Sequence, residues 1–70
     1  MFDYKELKLQ ITRKYDTQAN FAEAMEMDIT SLNQRLNGKV EWKTSEIVKA
    51  CALLDIDLAE SWKYFFNKKL

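Results

Sequence analysis

An all-α domain is predicted for this chain, and three features of its 70 residues predict it. Proline is absent and glycine occurs once, which permits long helical stretches and argues against an all-β fold with its many turns. Helix-start signals recur along the chain: Asp3 with Glu6, Thr17, Asp28, Thr44, and Asp57 with Glu60. Apolar residues follow each signal at helical spacing, not in the alternation of a strand. Together these features predict one compact five-helix domain over residues 1–70.

Asp3 and Glu6 have the spacing of a capping box, with Phe2 and Leu7 placed as a hydrophobic staple across it. Tyr4, Leu7, Ile11 and Tyr15 share one helical face, so a first helix is expected from about Tyr4 to Lys14. Thr17 then caps a second helix whose first residue is Gln18 and whose inward face is Phe21, Ala22 and Met25. Glu26 and Met27 make the turn. Asp28 caps the third helix, with Met27 and Leu32 at staple spacing, Leu32 and Leu36 buried, and Asn37-Gly38 as the stop. Residues 39–43 form a loop in which Trp42 anchors onto the core. Thr44 caps a fourth helix carrying the buried stripe Ile47, Ala50, Cys51 and Leu54. Asp57 and Glu60 open a fifth, with Leu58, Trp62, Phe65 and Phe66 on one side.

Composition excludes several functions. A chain this short buries only about 60% of its unfolded surface, enough for one core but not for a deep catalytic cleft beside it. Hydrophobic residues at 47% and charged residues at 31% describe a folded domain, not a disordered tail. The single cysteine, Cys51, rules out an internal disulfide framework and suits a reducing, cytoplasmic setting. No histidine is present, so imidazole catalysis and the commonest zinc ligand are missing, and Cys51 reads as a structural thiol. No catalytic residue, metal, cofactor or small-molecule substrate is expected. The longest apolar run, residues 50–54, is too short to span a membrane, and the opening MFDYKE does not read as a signal peptide.

The second and third helices carry the functional reading. Two short amphipathic helices joined by so tight a turn make a helix-turn-helix, whose second helix can lie in the DNA major groove. At ~3.6 residues per turn, with Leu32 facing the core, Thr30, Gln34 and Asn37 fall on the opposite side and Ser31 and Asn33 on the flanks. A merely solvated face would hold more lysine and glutamate; amides and hydroxyls pair with base edges. Gln18 sits where helix-end N–H groups favour a phosphate, though it also suits an ordinary helix start. Arg35, Lys39 and Lys43 gather at and beyond the end of the third helix, where the chain would meet the DNA backbone.

Gln18, the small Ala22, Leu32 and the closing Asn37-Gly38 together resemble a phage-repressor-type (Xre-like, Cro-like) helix-turn-helix domain. The wider frame of MFDYKEL, TQANFAEAM, LNGKV, EIVKACALL and KYFF is similar to a family of very short phage-encoded regulators of poorly assigned function, over nearly the whole chain. The resemblance implies Gln18 and Asn37 on phosphates, and Ile29, Thr30, Ser31, Asn33 and Gln34 on bases. Two positions depart from the pattern. Glu26 stands where the turn usually has glycine, and would take a left-handed conformation at a cost of ~1–2 kcal/mol. Ile29 replaces a polar residue; it either meets a thymine methyl or packs inward beside Leu32.

Charge argues against simple DNA binding. Net charge is zero, distributed as +2 over residues 1–15, −4 over 16–28, +2 over 29–43 and zero over 44–70. Counterion release supplies much of a protein's affinity for DNA, so a monomer with few basic contacts binds weakly. A homodimer would double those contacts, and Trp62, Tyr64, Phe65 and Phe66 offer a candidate dimer surface. The expected function is therefore double-stranded DNA binding by a small repressor-like regulator. The alternative is a protein-interaction module that modulates another repressor without binding DNA itself, a reading the neutral charge favours.

Overall fold

The computed structural model of the chain describes residues 2–68. Five α-helices follow one another: α1 Lys5–Tyr15, α2 Gln18–Ala24, α3 Ile29–Leu36, α4 Thr44–Leu54 and α5 Trp62–Phe65, with a 3₁₀ turn at Leu58–Glu60 before the last. Helix α1 is the hub, packing against α2, α4 and α5, while α2 packs on α3. The core holds the predicted apolar faces: Leu7 and Ile11 from α1, Phe21 and Ala22 from α2, Leu32 and Leu36 from α3, and Ile47, Ala50, Cys51 and Leu54 from α4. Phe65 closes it, with Trp42 edge-on against that ring at 5.0 Å, so Trp42 anchors its loop as expected.

Two helix starts form as read from the sequence. The Thr17 hydroxyl accepts from the Asn20 N–H at 3.1 Å, and the Asp28 carboxylate accepts from the Ser31 N–H at 2.8 Å. Each satisfies a donor that has no partner inside its helix. Between α1 and α2 the chain reverses in a single γ-turn at Asp16, whose φ of 70° and ψ of −52° bring the Thr17 N–H to the Tyr15 carbonyl at 2.8 Å. The Asn20 side-chain amide donates to that same carbonyl at 2.9 Å and pins α2 to the end of α1.

Helix ends share one device. In α2, α3 and α4 the chain turns through a left-handed residue, and the next N–H reaches back five positions: Met27 to Ala22, Lys39 to Gln34, Ile56 to Cys51, at 2.8–2.9 Å. This is the Schellman motif, which glycine serves best because it has no Cβ. Only one of the three left-handed positions is glycine: Gly38 at φ 75°, against Glu26 at 59° and Asp55 at 56°. Glu26 therefore adopts the left-handed conformation, and the turn keeps its shape without glycine.

Three starts differ from the sequence expectation. Helix α1 begins at Lys5, and Asp3 accepts from the Lys5 N–H without closing a box with Glu6. The cause is tertiary: the Asp3 N–H donates to the Asn67 carbonyl at 2.6 Å, and Phe2 bridges to Lys68. Phe2 consequently lies edge-on to Phe66 at 5.7 Å and is exposed, so the staple to the buried Leu7 is replaced by an aromatic pair. Thr44 is the first residue inside α4 and not its cap; Glu46 instead accepts from the Lys43 N–H at 2.9 Å. The box at Asp57 also stays open. Asp57 accepts from Ala59, while Glu60 turns to Lys63 at 2.9 Å, and only a 3₁₀ turn forms before α5.

The face proposed for the fifth helix breaks up as a result. Phe65 is 1% exposed, but Trp62 is 57% and Phe66 50% exposed, and Leu58 also faces solvent. One ring suffices to close the core here, because the chain must bend straight back to pair residues 67 and 68 with residues 3 and 2.

Candidate functional site

Helix α3 presents the face that the sequence singled out, with changes in its membership. Thr30, Asn33, Gln34 and Asn37 are exposed on it. Ile29, at 40% exposure, stands at its tip, so the inward alternative for that residue does not hold. Asp28 caps the helix from below, and the Ile29 side chain is left to solvent. Ser31 leaves the base-reading set: it is half-buried, and its hydroxyl donates to the Asp28 carboxylate at 3.1 Å. That hydroxyl and the Ser31 N–H hold the Asp28 carboxyl below the usual carboxylate range, the N–H contributing most.

Arg35 is the largest change. Its Nε donates to the Glu46 carboxylate at 2.9 Å, and its guanidinium also donates to the Ser31 carbonyl at 3.0 Å. The two side chains are only 12% and 15% exposed. Burial by itself would raise the Glu46 pKa, but the hydrogen bonds from Arg35 and from the Lys43 N–H outweigh it and hold the carboxyl below its ordinary value. Arg35 thus clamps α3 to α4 and does not extend toward a phosphate. Little in the chain pointed to this pair, since Glu46 lies 11 residues on, across a loop. The only hint was a charge of each sign on helix faces that otherwise bury apolar residues.

The remaining basic candidates, Lys39 and Lys43, are exposed beyond the end of α3, and Gln18 is half-buried at the start of α2. Behind the turn, a polar groove of about 430 Å³ runs between Met27, Asp28 and Ser31 on one side and Ser45, Glu46 and Lys49 on the other. Its charges are largely satisfied within the molecule: Arg35 by Glu46, and Lys49 by the Met25 carbonyl at 3.2 Å and Glu26 at 3.3 Å.

Residues 2 and 3 meet residues 68 and 67 beside α5. Of the four residues read as a dimer surface, Phe65 belongs to the core and Tyr64 is half-buried against it. Trp62 and Phe66 remain exposed, and Phe2 joins Phe66. Phe2 was missed as a surface residue because only the folded chain brings residue 2 beside residue 66. Cys51 is buried, which pushes its thiol pKa up and makes it a poor nucleophile. Among the described residues no helix is long and apolar enough to cross a membrane.

A family model described as a protein of unknown function (DUF739) matches residues 1–68. Among solved structures, the chain is similar to the modulator of repression (MOR) of the temperate bacteriophage TP901-1 from Lactococcus lactis, determined in solution. The two are 43% identical over 99% of this chain and 93% of that one, with a TM-score of 0.84. No curated protein sequence matches.

Proposed function

The chain belongs to the DUF739 family, and from that premise we propose that it is a regulator acting on a repressor through protein–protein contact, rather than a repressor that reads an operator by itself. The observation that carries this reading is the similarity over nearly the whole chain to a modulator of repression. The charge distribution supports it. Arg35 is held by Glu46, which leaves Lys39 and Lys43 as the exposed basic groups near α3. Two phosphate contacts give a salt-dependence slope of only about −2, where the 6–10 contacts of an established DNA binder give roughly −5 to −9. No catalysis is part of the proposal.

The exposed amide face of α3 keeps a second reading in view, in which Thr30, Asn33 and Gln34 read bases, Ile29 meets a thymine methyl, and Gln18, Asn37, Lys39 and Lys43 position the backbone. That reading calls for a homodimer, for which Trp62 and Phe66 supply exposed apolar surface. One pair of measurements separates the two. The protein is titrated into a complex of its cognate repressor with operator DNA, and separately offered random duplexes at two salt concentrations. Loss of the repressor–operator complex, with no motif enriched from the random duplexes, is the expected result. A repressor that stays on its operator while the chain alone selects a motif would transfer the function to DNA binding.

A further inference from the structure

Glu41 and Trp42 of the loop after α3, with residues 2, 4, 65 and 66, enclose a small cleft, of which only Phe66 enters either reading. It has a volume of about 180 Å³ and is lined by Phe2, Tyr4, Glu41, Trp42, Phe65 and Phe66. Its size is below the ~300–1,000 Å³ of sites for drug-sized ligands and matches a single side chain. Five of the six lining residues are aromatic, arranged as two edge-to-face pairs, Phe2 with Phe66 at 5.7 Å and Trp42 with Phe65 at 5.0 Å. The sixth is a carboxylate. Glu41 also lines the adjoining hollow with Gly38 and Val40, and makes no ion pair or side-chain hydrogen bond among the described residues. Its charge reaches the cleft wall: after burial, it is the second cause that raises the pKa of the Tyr4 hydroxyl.

We propose that this cleft is an acceptor for one arginine side chain of a protein partner, with the guanidinium over the aromatic faces and its N–H fork on Glu41. The chemistry selects the occupant. Aromatic faces carry negative potential and attract cations, more strongly where water is excluded. A planar guanidinium stacks on rings and pairs with a carboxylate through two donors, which an ammonium cannot do. An apolar occupant would gain nothing from the Glu41 carboxylate, and an anionic one would be repelled by it. Phosphate is excluded for the same reason, so the cleft is a protein-docking site and not part of a nucleic-acid surface. That the partner is a repressor rests on the function proposed above; the preference of the cleft for arginine does not.

The test uses the whole chain and small probes. Nα-acetyl-arginine amide is titrated into ¹⁵N-labelled protein and compared with Nα-acetyl-norleucine amide, an uncharged probe with an alkyl side chain that lacks the guanidinium. Arginine amide is expected to saturate in the millimolar range, shifting the Trp42 indole N–H and the amides of Phe2, Glu41 and Phe66. The Trp62 indole, outside the cleft, stays in place. Norleucine amide and the Glu41→Gln variant should each bind about fivefold more weakly or worse. Glu41 is exposed in a loop, so the variant keeps the fold, and its own spectrum verifies that. Equal shifts from both probes, or arginine binding unchanged by Glu41→Gln, overturn the proposal and leave only an apolar hollow. A chain that displaces a repressor from its operator yet ignores arginine amide loses the cleft alone. One that binds arginine amide but displaces nothing loses the proposed function alone.

Discussion

Glu26 shows how a single residue can depart from the helix-turn-helix pattern that the sequence resembles without changing the turn. Its φ of 59° places a Cβ where glycine has none, yet the Schellman bond from Met27 to Ala22 still forms at 2.9 Å. The exposed Lys49 partner at 3.3 Å offsets little of the strain, because pairs in water contribute at most ~1 kcal/mol. Glu26→Gly should therefore stabilise the domain by about 0.5–1 kcal/mol, since relief of the left-handed strain exceeds the added freedom of the unfolded chain. Urea denaturation measures this. A loss of stability would mean that the Lys49 contact carries more than its exposure suggests.

Between elements, the Arg35–Glu46 pair decides how α3 is held. Removing one partner of a mostly buried pair leaves the other uncompensated, and Arg35→Ala should cost about 3 kcal/mol by the same denaturation measurement. Replacing both partners by apolar residues of similar size should recover most of that loss. The pair also sets an acid limit. Glu46 has a folded pKa below its unfolded value, so its contribution is complete above the ordinary carboxylate range and is lost as pH falls through the folded value. Stability should drop below about pH 4, and Glu46→Gln should be less stable at neutral pH but flatter through that window. On the exposed side of the same helix, Gln34→Ala distinguishes the two functions. If α3 reads bases, the change costs ~1–3 kcal/mol and relaxes preference at one base pair. Under the protein-contact reading, DNA binding is weak before and after the change.

For the molecule as a whole, charge weighs against DNA, while the surface of α3 fits either partner. Zero net charge, with −4 concentrated in residues 16–28, gives no attractive field toward nucleic acid. The face beside that acidic segment is uncharged and capped by an exposed isoleucine, Ile29. Mixed amide and apolar surface of this kind suits a protein groove as well as a base edge. The proposed function takes the protein alternative, and the similarity to a modulator of repression supports that choice.

Helix number, the order of the elements and nearly all of the core were legible in the chain, because helical periodicity and caps such as Thr17 and Asp28 are local effects. Leu7, Phe21, Leu32 and Leu54 announce their burial by spacing alone. What could not be read there depends on contacts between distant residues. The Asp3 box stays open because Asn67 and Lys68 claim the N-terminal backbone, and Phe2 leaves Leu7 for Phe66. Arg35, grouped with the phosphate contacts by its position, is withdrawn by Glu46 across a loop. Local propensity sets roughly where helices form, but tertiary contacts shift their ends, and the partner of a long side chain is set by which surfaces the packed helices bring within ~4 Å of it.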